Sequence, residues 1–154
     1  MGLAVYYKDS NDLFVEVSTD SDLSTPITTI HEGKEGDVKT LQLYIRNDDP
    51  TKWYSNIIIK PIDLVDADPY GDIAYDETGW GVKLSDSINE PAQGEWDDLL
   101  WGEAIDIVDI GSDASADVAT YVPFWYLITC PPNENVKYKT DIVFNVSYTE
   151  NSVI

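Results

Sequence analysis

The chain has 154 residues, enough for one hydrophobic core but not for two of ordinary size. Nine Lys and Arg residues against 29 Asp and Glu residues give a formal charge of −20, which repels nucleic-acid phosphates and anionic lipid surfaces. Nucleic acid and membranes are therefore excluded as expected partners. With one cysteine and one histidine, neither a disulfide framework nor a Cys/His zinc set is expected, so packing must stabilise the fold.

Three short strand candidates open the chain, at residues 3–7, 13–17 and 27–31, with Asp- and Ser-rich turns between them. They predict that residues 1–36 form either extra strands of the main sheet or an N-terminal arm. Such an arm would pair with the sheet edge of a neighbouring molecule. The N-terminus lacks a basic region followed by an apolar core, so we expect no signal peptide and synthesis in a cytoplasm.

Residues 38–47 give the clearest strand pattern, because Leu41, Leu43 and Ile45 alternate with polar or amphipathic side chains. The pattern ends in Asn-Asp-Asp-Pro at residues 47–50, which predicts a turn. A second strand is predicted over residues 55–64. Its continuous isoleucines at 57–59 predict burial on both faces or a central position in a sheet, and Pro61 predicts a bulge or an edge position.

The second half of the chain continues the β pattern after a loop predicted at residues 65–79. Strands are predicted at 81–85 and 103–110, and residues 95–102 form either one helical turn or a short strand. Residues 118–130 are the most apolar segment and predict a central strand that buries Cys130 as an inert thiol. A final strand is predicted at 137–148, with the last few residues trailing off.

Seven to nine short strands, separated by turns and nearly free of helical periodicity, predict an all-β fold. We expect one domain over residues 1–154 that is an antiparallel β-sandwich. An immunoglobulin-like (Ig-like) topology is the first choice, and a jelly roll is the alternative.

An acidic stretch within residues 66–77 partly follows the spacing of a calcium-binding loop. Tyr70 stands where such a loop normally supplies an oxygen ligand, and no helical pattern flanks the segment. The same residues also fit a solvated acidic loop. If calcium is the cofactor, the predicted ligands are Asp66, Asp68, Asp72 and Glu77.

Few groups of residues in the sequence suggest catalysis, and we expect that the chain is not an enzyme. Carboxylates at 95, 97, 98 and 103 lie among Trp96 and Trp101, as a glycosidase pair would. In a chain with 29 acidic residues such neighbourhoods arise by chance. The single histidine, His31, lies in a turn-like stretch without a nucleophile motif, so a surface role is expected.

Aromatic residues are abundant, with ten Tyr, five Trp and three Phe. Most are expected to fill the core, but some lie in or beside predicted loops. Exposed Trp and Tyr suit either a protein interface or a sugar-binding platform. The sequence therefore predicts partner or glycan contacts by Trp53, Tyr54, Trp80, Trp96 and Trp101.

Residues 37–150 resemble Ig-like β-sandwich modules in virion structural proteins of tailed phages and tailed archaeal viruses. The resemblance rests on the strand end Ile-Arg-Asn-Asp at 45–48 and on residues 55–61. It also rests on the Gly-Ser-Asp-Ala-Ser-Ala-Asp loop at 111–117, which precedes a strand with Phe124 and Trp125 and an exit at Pro131 and Pro132.

The resemblance implies a non-enzymatic virion protein that decorates or cements a capsid, or forms part of a neck or tail. Its partners would be other virion proteins, with the chain held in a homo-oligomer or lattice. The alternative from the aromatic residues is a carbohydrate-binding module. The charge of −20 needs relief by a salt-rich setting, by calcium or by a basic protein partner, and the sequence leaves all three open.

Overall fold

A computed structural model describes residues 3–17, 29–30, 37–63, 81–112, 120–130, 138–139 and 142–153. These residues form ten strands and one short helix. In chain order the elements are β1 (Leu3–Lys8), β2 (Phe14–Val17), β3 (Thr29–Ile30), β4 (Asp37–Asn47), β5 (Lys52–Asp63), β6 (Gly81–Ser85), α1 (Gln93–Asp97), β7 (Ile105–Ile107), β8 (Tyr121–Cys130), β9 (Tyr138–Lys139) and β10 (Ile142–Ser152).

A five-stranded antiparallel sheet has the strand order β2-β1-β4-β8-β6. Strands β4 and β8 pair over ten residues, with Leu43 opposite Phe124. The interior position of β8 confirms the prediction made from its apolar sequence. Strands β1 and β2, which lie within residues 1–36, belong to this sheet and extend it beyond β4.

A second antiparallel sheet, with the order β10-β5-β7, packs against the first. Phe144 of β10 meets the rings of Phe124 and Tyr126 edge-to-face, at centroid distances of 5.9 and 5.7 Å. Strands β3 and β9 form a separate pair. The chain is therefore an all-β sandwich, as the alternating sequence predicts.

The core lies between the two sheets and follows the predicted alternation. Leu43 and Ile45 of β4 are fully buried, and so are Phe124 and Ile128 of β8. The Cys130 side chain is buried, as expected. The strand pattern thus places one face of each central strand in the core.

The isoleucines of β5 lie in a central strand, between β10 and β7, which is one of the two alternatives predicted for them. Burial on both faces is wrong, because Ile58 is 40% exposed whereas Ile57 and Ile59 are buried. The chain does not trail off after residue 148: β10 continues to Ser152, and the Val153 N–H donates to the Thr51 carbonyl at 2.9 Å. Pairing with the start of β5 holds this end of the chain in the sheet.

A β-bulge interrupts the pairing of β5 with β10. Thr149 lies opposite Ser55 and Ser147 opposite Ile58, so two residues of β5 face one of β10. Asn56 occupies the bulge with φ of 53°, in the left-handed region. The predicted bulge exists, but it lies at Asn56 and not at Pro61.

The segment after β6 crosses the outer face of the five-stranded sheet. The Gly102 N–H donates to the Val82 carbonyl at 2.8 Å, and Gly102 has φ of 72°, which glycine adopts without strain. Trp96 in α1 is buried, and the Thr40 hydroxyl donates to Glu90 at 2.8 Å. The helical alternative for this segment is the one observed, and it covers one end of the outer face.

Candidate functional site

The aromatic residues predicted as contacts do not form one surface. Tyr54 and Trp96 are 2% and 3% exposed, so their burial removes them from any exposed contact set. Trp53 and Trp101 are half-buried and lie at different sheets, since Trp53 is part of β5 and Trp101, in a turn, stacks on Lys83 of β6. Trp80 lies outside the described residues.

Tyr54 was expected beside a loop because the strand was predicted to begin at residue 55, whereas β5 begins at Lys52 and includes Tyr54. The bulge then determines which way the Tyr54 side chain faces. Ile57 and Ile59 face the core, and strict alternation would send residues 55 and 53 inward. The extra residue at Asn56 reverses this phase, so Tyr54 turns in and packs edge-to-face on Tyr148 at 5.0 Å. Burial, followed by the nearby Glu150 carboxylate, raises the pKa of Tyr54 to about 12.

The predicted calcium ligands Asp66, Asp68, Asp72 and Glu77 all lie outside the described residues, and so does His31. Among the residues that are described, no three His, Cys, Asp or Glu side chains are grouped to hold a metal ion.

The carboxylates considered for catalysis, at 95, 97, 98 and 103, are exposed. Glu95 accepts a bond from the Ala92 N–H at the start of α1, and Asp97 accepts one from Gln93. Both contacts are local to the helix. These carboxylates therefore have structural or solvent contacts in place of an apolar pocket.

A different aromatic cluster lies on the outer face of the five-stranded sheet, at the end away from the 86–102 segment. It consists of Tyr6, Phe14, Tyr44 and Tyr121, and we call it the aromatic face. Tyr6 lies directly opposite Tyr44 across β1 and β4. Four adjacent strands, β2, β1, β4 and β8, each contribute one ring.

The rings of the aromatic face pack edge-to-face. Phe14 and Tyr44 have centroids 5.4 Å apart at 82°, and Phe14 and Tyr121 are 5.3 Å apart at 64°. Tyr44 and Tyr121 are 5.8 Å apart at 72°. Each such pair is worth roughly 0.5–1.5 kcal/mol beyond its buried area, so the rings hold one another in place.

Two cations lie against these rings. The Lys8 ammonium is 5.1 Å from the centroids of Phe14 and Tyr44, and 5.8 Å from that of Tyr121. The guanidinium of Arg46, the only arginine in the chain, lies 5.0 Å from Phe14 and 5.4 Å from Tyr6. Cation–π attraction therefore concentrates two of the nine basic side chains on this face.

Carboxylates surround the cluster. Asp12 pairs with the Lys8 ammonium at 3.5 Å. Burial raises the pKa of the Tyr6 phenol, the Asp48 and Glu16 carboxylates raise it further, and Arg46 opposes them. The aromatic face thus has an apolar centre, two cations stacked on its rings and an acidic rim.

A tight hairpin turn puts Phe14 into the cluster. One Asp9 carboxylate oxygen accepts the N–H groups of Asn11 and Leu13, at 2.8 and 3.0 Å. Asp12 adopts φ of 62°, which Asp tolerates better than most residues. The turn sets the register of β1 and β2, which places Phe14 opposite Lys8.

The sequence of β4 contains a signal for this site. Tyr44 and Arg46 lie on the face of β4 opposite Leu43 and Ile45, where water-exposed side chains are expected. A tyrosine there needs an explanation. Only the strand order shows that Tyr6, Phe14 and Tyr121 join it.

Comparison with known proteins adds no relative: no protein-family model matches the chain, and no curated protein matches it. The one helix in the described ranges has five residues, too few to cross a bilayer.

Proposed function

We propose that the chain is a non-enzymatic structural protein that works through protein–protein contacts made by the aromatic face. The observation that supports this is an aromatic cluster on an outer sheet surface, with Tyr121 still 41% exposed and the only arginine beside it. Tyrosine and arginine are the residues most enriched where interfaces gain their binding energy.

The proposed setting is a virus particle, as a capsid decoration or cement protein or as a neck or tail component. The resemblance of residues 37–150 to virion sandwich modules supports this setting, and the aromatic face supports the mode of action. In a particle, neighbouring subunits are held at high local concentration, so a modest contact per copy is sufficient for stable attachment.

Ring geometry favours a protein contact over the alternative of a carbohydrate-binding module. A sugar platform needs a flat aromatic surface, whereas the ring pairs between Phe14, Tyr44 and Tyr121 meet at 64–82°. An uneven surface with cations between the rings fits side chains of a partner better than the broad C–H face of a sugar ring.

The chain's acidity favours a basic partner. A formal charge of −20 attracts a positive surface at long range and repels further copies of the same charge. We therefore expect association to weaken as salt is raised.

Replacing Tyr121 by alanine tests the contact. Tyr148 is the matched control, because it is a strand tyrosine of similar exposure, 41% against 44%, on the other sheet. Particles purified from the source of the chain are stripped of it, and reassociation of each variant is measured by sedimentation. We expect Tyr121→Ala to weaken association about tenfold or more and Tyr148→Ala by less than about twofold.

Two results would overturn the proposal. Equal losses in the Tyr121→Ala and Tyr148→Ala variants would remove the aromatic face from the contact. Absence of the chain from every particle purified from its source, measured by mass spectrometry, would remove the virion role.

A further inference from the structure

Three aromatic rings surround the Lys8 ammonium. Phe14, Tyr44 and Tyr121 place their centroids 5.1, 5.1 and 5.8 Å from the nitrogen. Every pair of these rings is steeply inclined, at 64–82°, so the three form walls around the cation and not a stack. We call these three rings the Lys8 cage.

The Lys8 cage has the chemistry of a site for alkylammonium cations. Ring faces are electron-rich, and several faces around one point attract an ammonium or quaternary ammonium group. The rings come from three separate strands, β2, β4 and β8. Because strand pairing and ring–ring contacts hold them, the walls do not depend on Lys8 for their position.

Lys8 is a replaceable occupant of this cage. Its side chain is 26% exposed, and its ion pair is with Asp12, whose side chain is 83% exposed. Lys83 shows the contrasting arrangement: it is 6% exposed, and its ammonium donates to the Trp96 carbonyl at 2.9 Å beneath the Trp101 ring. Withdrawing Lys8 to solvent breaks an exposed ion pair and cation–π contacts, whereas withdrawing Lys83 would break a buried hydrogen bond.

We propose that the Lys8 cage is a binding site for an alkylammonium group, which Lys8 fills in the free chain and a lysine of a basic partner segment fills in the complex. The inference deepens the proposed function and rests on it for the partner. Asp12 and Glu16 lie on the same face, so the acidic rim complements the positive charge of the segment. Lys8 then acts as an internal competitor.

Tetramethylammonium chloride is the first probe, titrated into the native chain, Lys8→Ala and Lys39→Ala and followed by two-dimensional NMR. Lys39→Ala is the matched control, because this substitution removes the same charge from an exposed side chain of β4. We expect Lys8→Ala to bind the probe about fivefold tighter than the native chain, and Lys39→Ala to bind like the native chain. The further change Tyr44→Ala should abolish the gain.

Equal gains in Lys8→Ala and Lys39→Ala would overturn the proposal, since they would report net charge alone. If Lys8→Ala fails to fold, a measurement on the native chain still tests the proposal. In the native chain the aromatic rings should shift the Lys8 side-chain resonances upfield relative to those of Lys39. Adding tetramethylammonium should reduce this upfield shift, because the probe displaces Lys8 from the cage. Unshifted Lys8 resonances would also overturn the proposal.

The source of the cation is tested with a short lysine-rich peptide and its norleucine analogue. If the lysine peptide competes with tetramethylammonium and the norleucine peptide does not, the result supports a partner lysine as the occupant. If neither peptide competes, a partner lysine is excluded as the occupant. The proposed function fails separately: if Tyr121→Ala keeps full particle association while the cage binds the probe, the contact face is refuted and the cation site stands. Lost association in Tyr121→Ala without any probe binding refutes the cage alone.

Discussion

Replacing Asn56 separately by glycine and by alanine tests the bulge that turns Tyr54 into the core. Asn56 is exposed and has φ of 53°, a conformation that costs an alanine about 1–2 kcal/mol. Both variants lose the same amide bond to the Thr149 hydroxyl at 3.2 Å, so this loss cancels between them. The difference in stability between the two variants therefore reports the backbone conformation at position 56.

The expected difference in stability between glycine and alanine is opposite in sign to that at an ordinary strand position. Glycine adopts the left-handed conformation without strain but is more flexible when unfolded, which costs it about 0.4–1 kcal/mol relative to alanine. Subtracting the middle of this range from the middle of the strain range leaves Asn56→Gly more stable than Asn56→Ala by roughly 0.8 kcal/mol. Ser147, an exposed residue of β10 beside the bulge, is the control. There alanine should be more stable than glycine by about 0.5–1 kcal/mol, as in an ordinary strand.

Urea denaturation followed by tryptophan fluorescence measures both pairs, and thermal midpoints should differ by about 2–4 °C per kcal/mol for a chain of this size. Equal stability of the alanine and glycine variants at position 56 would contradict this prediction. In that case the left-handed bulge is not what places Tyr54 against Tyr148.

Three further predictions concern stability. Asn47→Asp should lower the free energy of unfolding by about 3 kcal/mol, because it sets a carboxylate against the carbonyls of Lys52 and Gly111 that the buried amide now donates to, at 2.8 and 3.0 Å; a loss below about 1 kcal/mol in urea denaturation would contradict this. Since the folded pKa of Tyr54 is about 12 and the unfolded value is 10.0, the unfolded chain loses this proton first as pH rises, so its contribution to stability, full below pH 10, should fall by about 2–3 kcal/mol by pH 12. Tyr54→Phe should show a smaller alkaline loss, and identical pH profiles would count against it. Lys83→Met should cost about 1–3 kcal/mol by removing the bond to Trp96, whereas exposed Lys39→Met should change stability by less than about 0.5 kcal/mol; equal effects on thermal midpoints would exclude a role for the buried bond.

Local patterns in the sequence were sufficient to predict the fold class and part of the core. A strand repeats its environment every two residues, so alternation is a local signal that survives without knowledge of the partners. Leu43 and Ile45 were placed on one face of a strand in this way, and both are fully buried. The turn after Asn47 was equally local, since Asn and Asp side chains bond to nearby backbone groups.

Which surface is available for contact depends on how the strands are arranged in space. The bulge at Asn56 reverses the facing of Tyr54, and a one-residue register change of this kind depends on the pairing strand β10. The segment that carries Trp96 folds over one end of the outer face and buries that ring. The aromatic face arises because strand order brings Phe14 and Tyr121, which are distant in sequence, onto the same side of one sheet. Alternation states which face a side chain occupies, but strand order determines its neighbours.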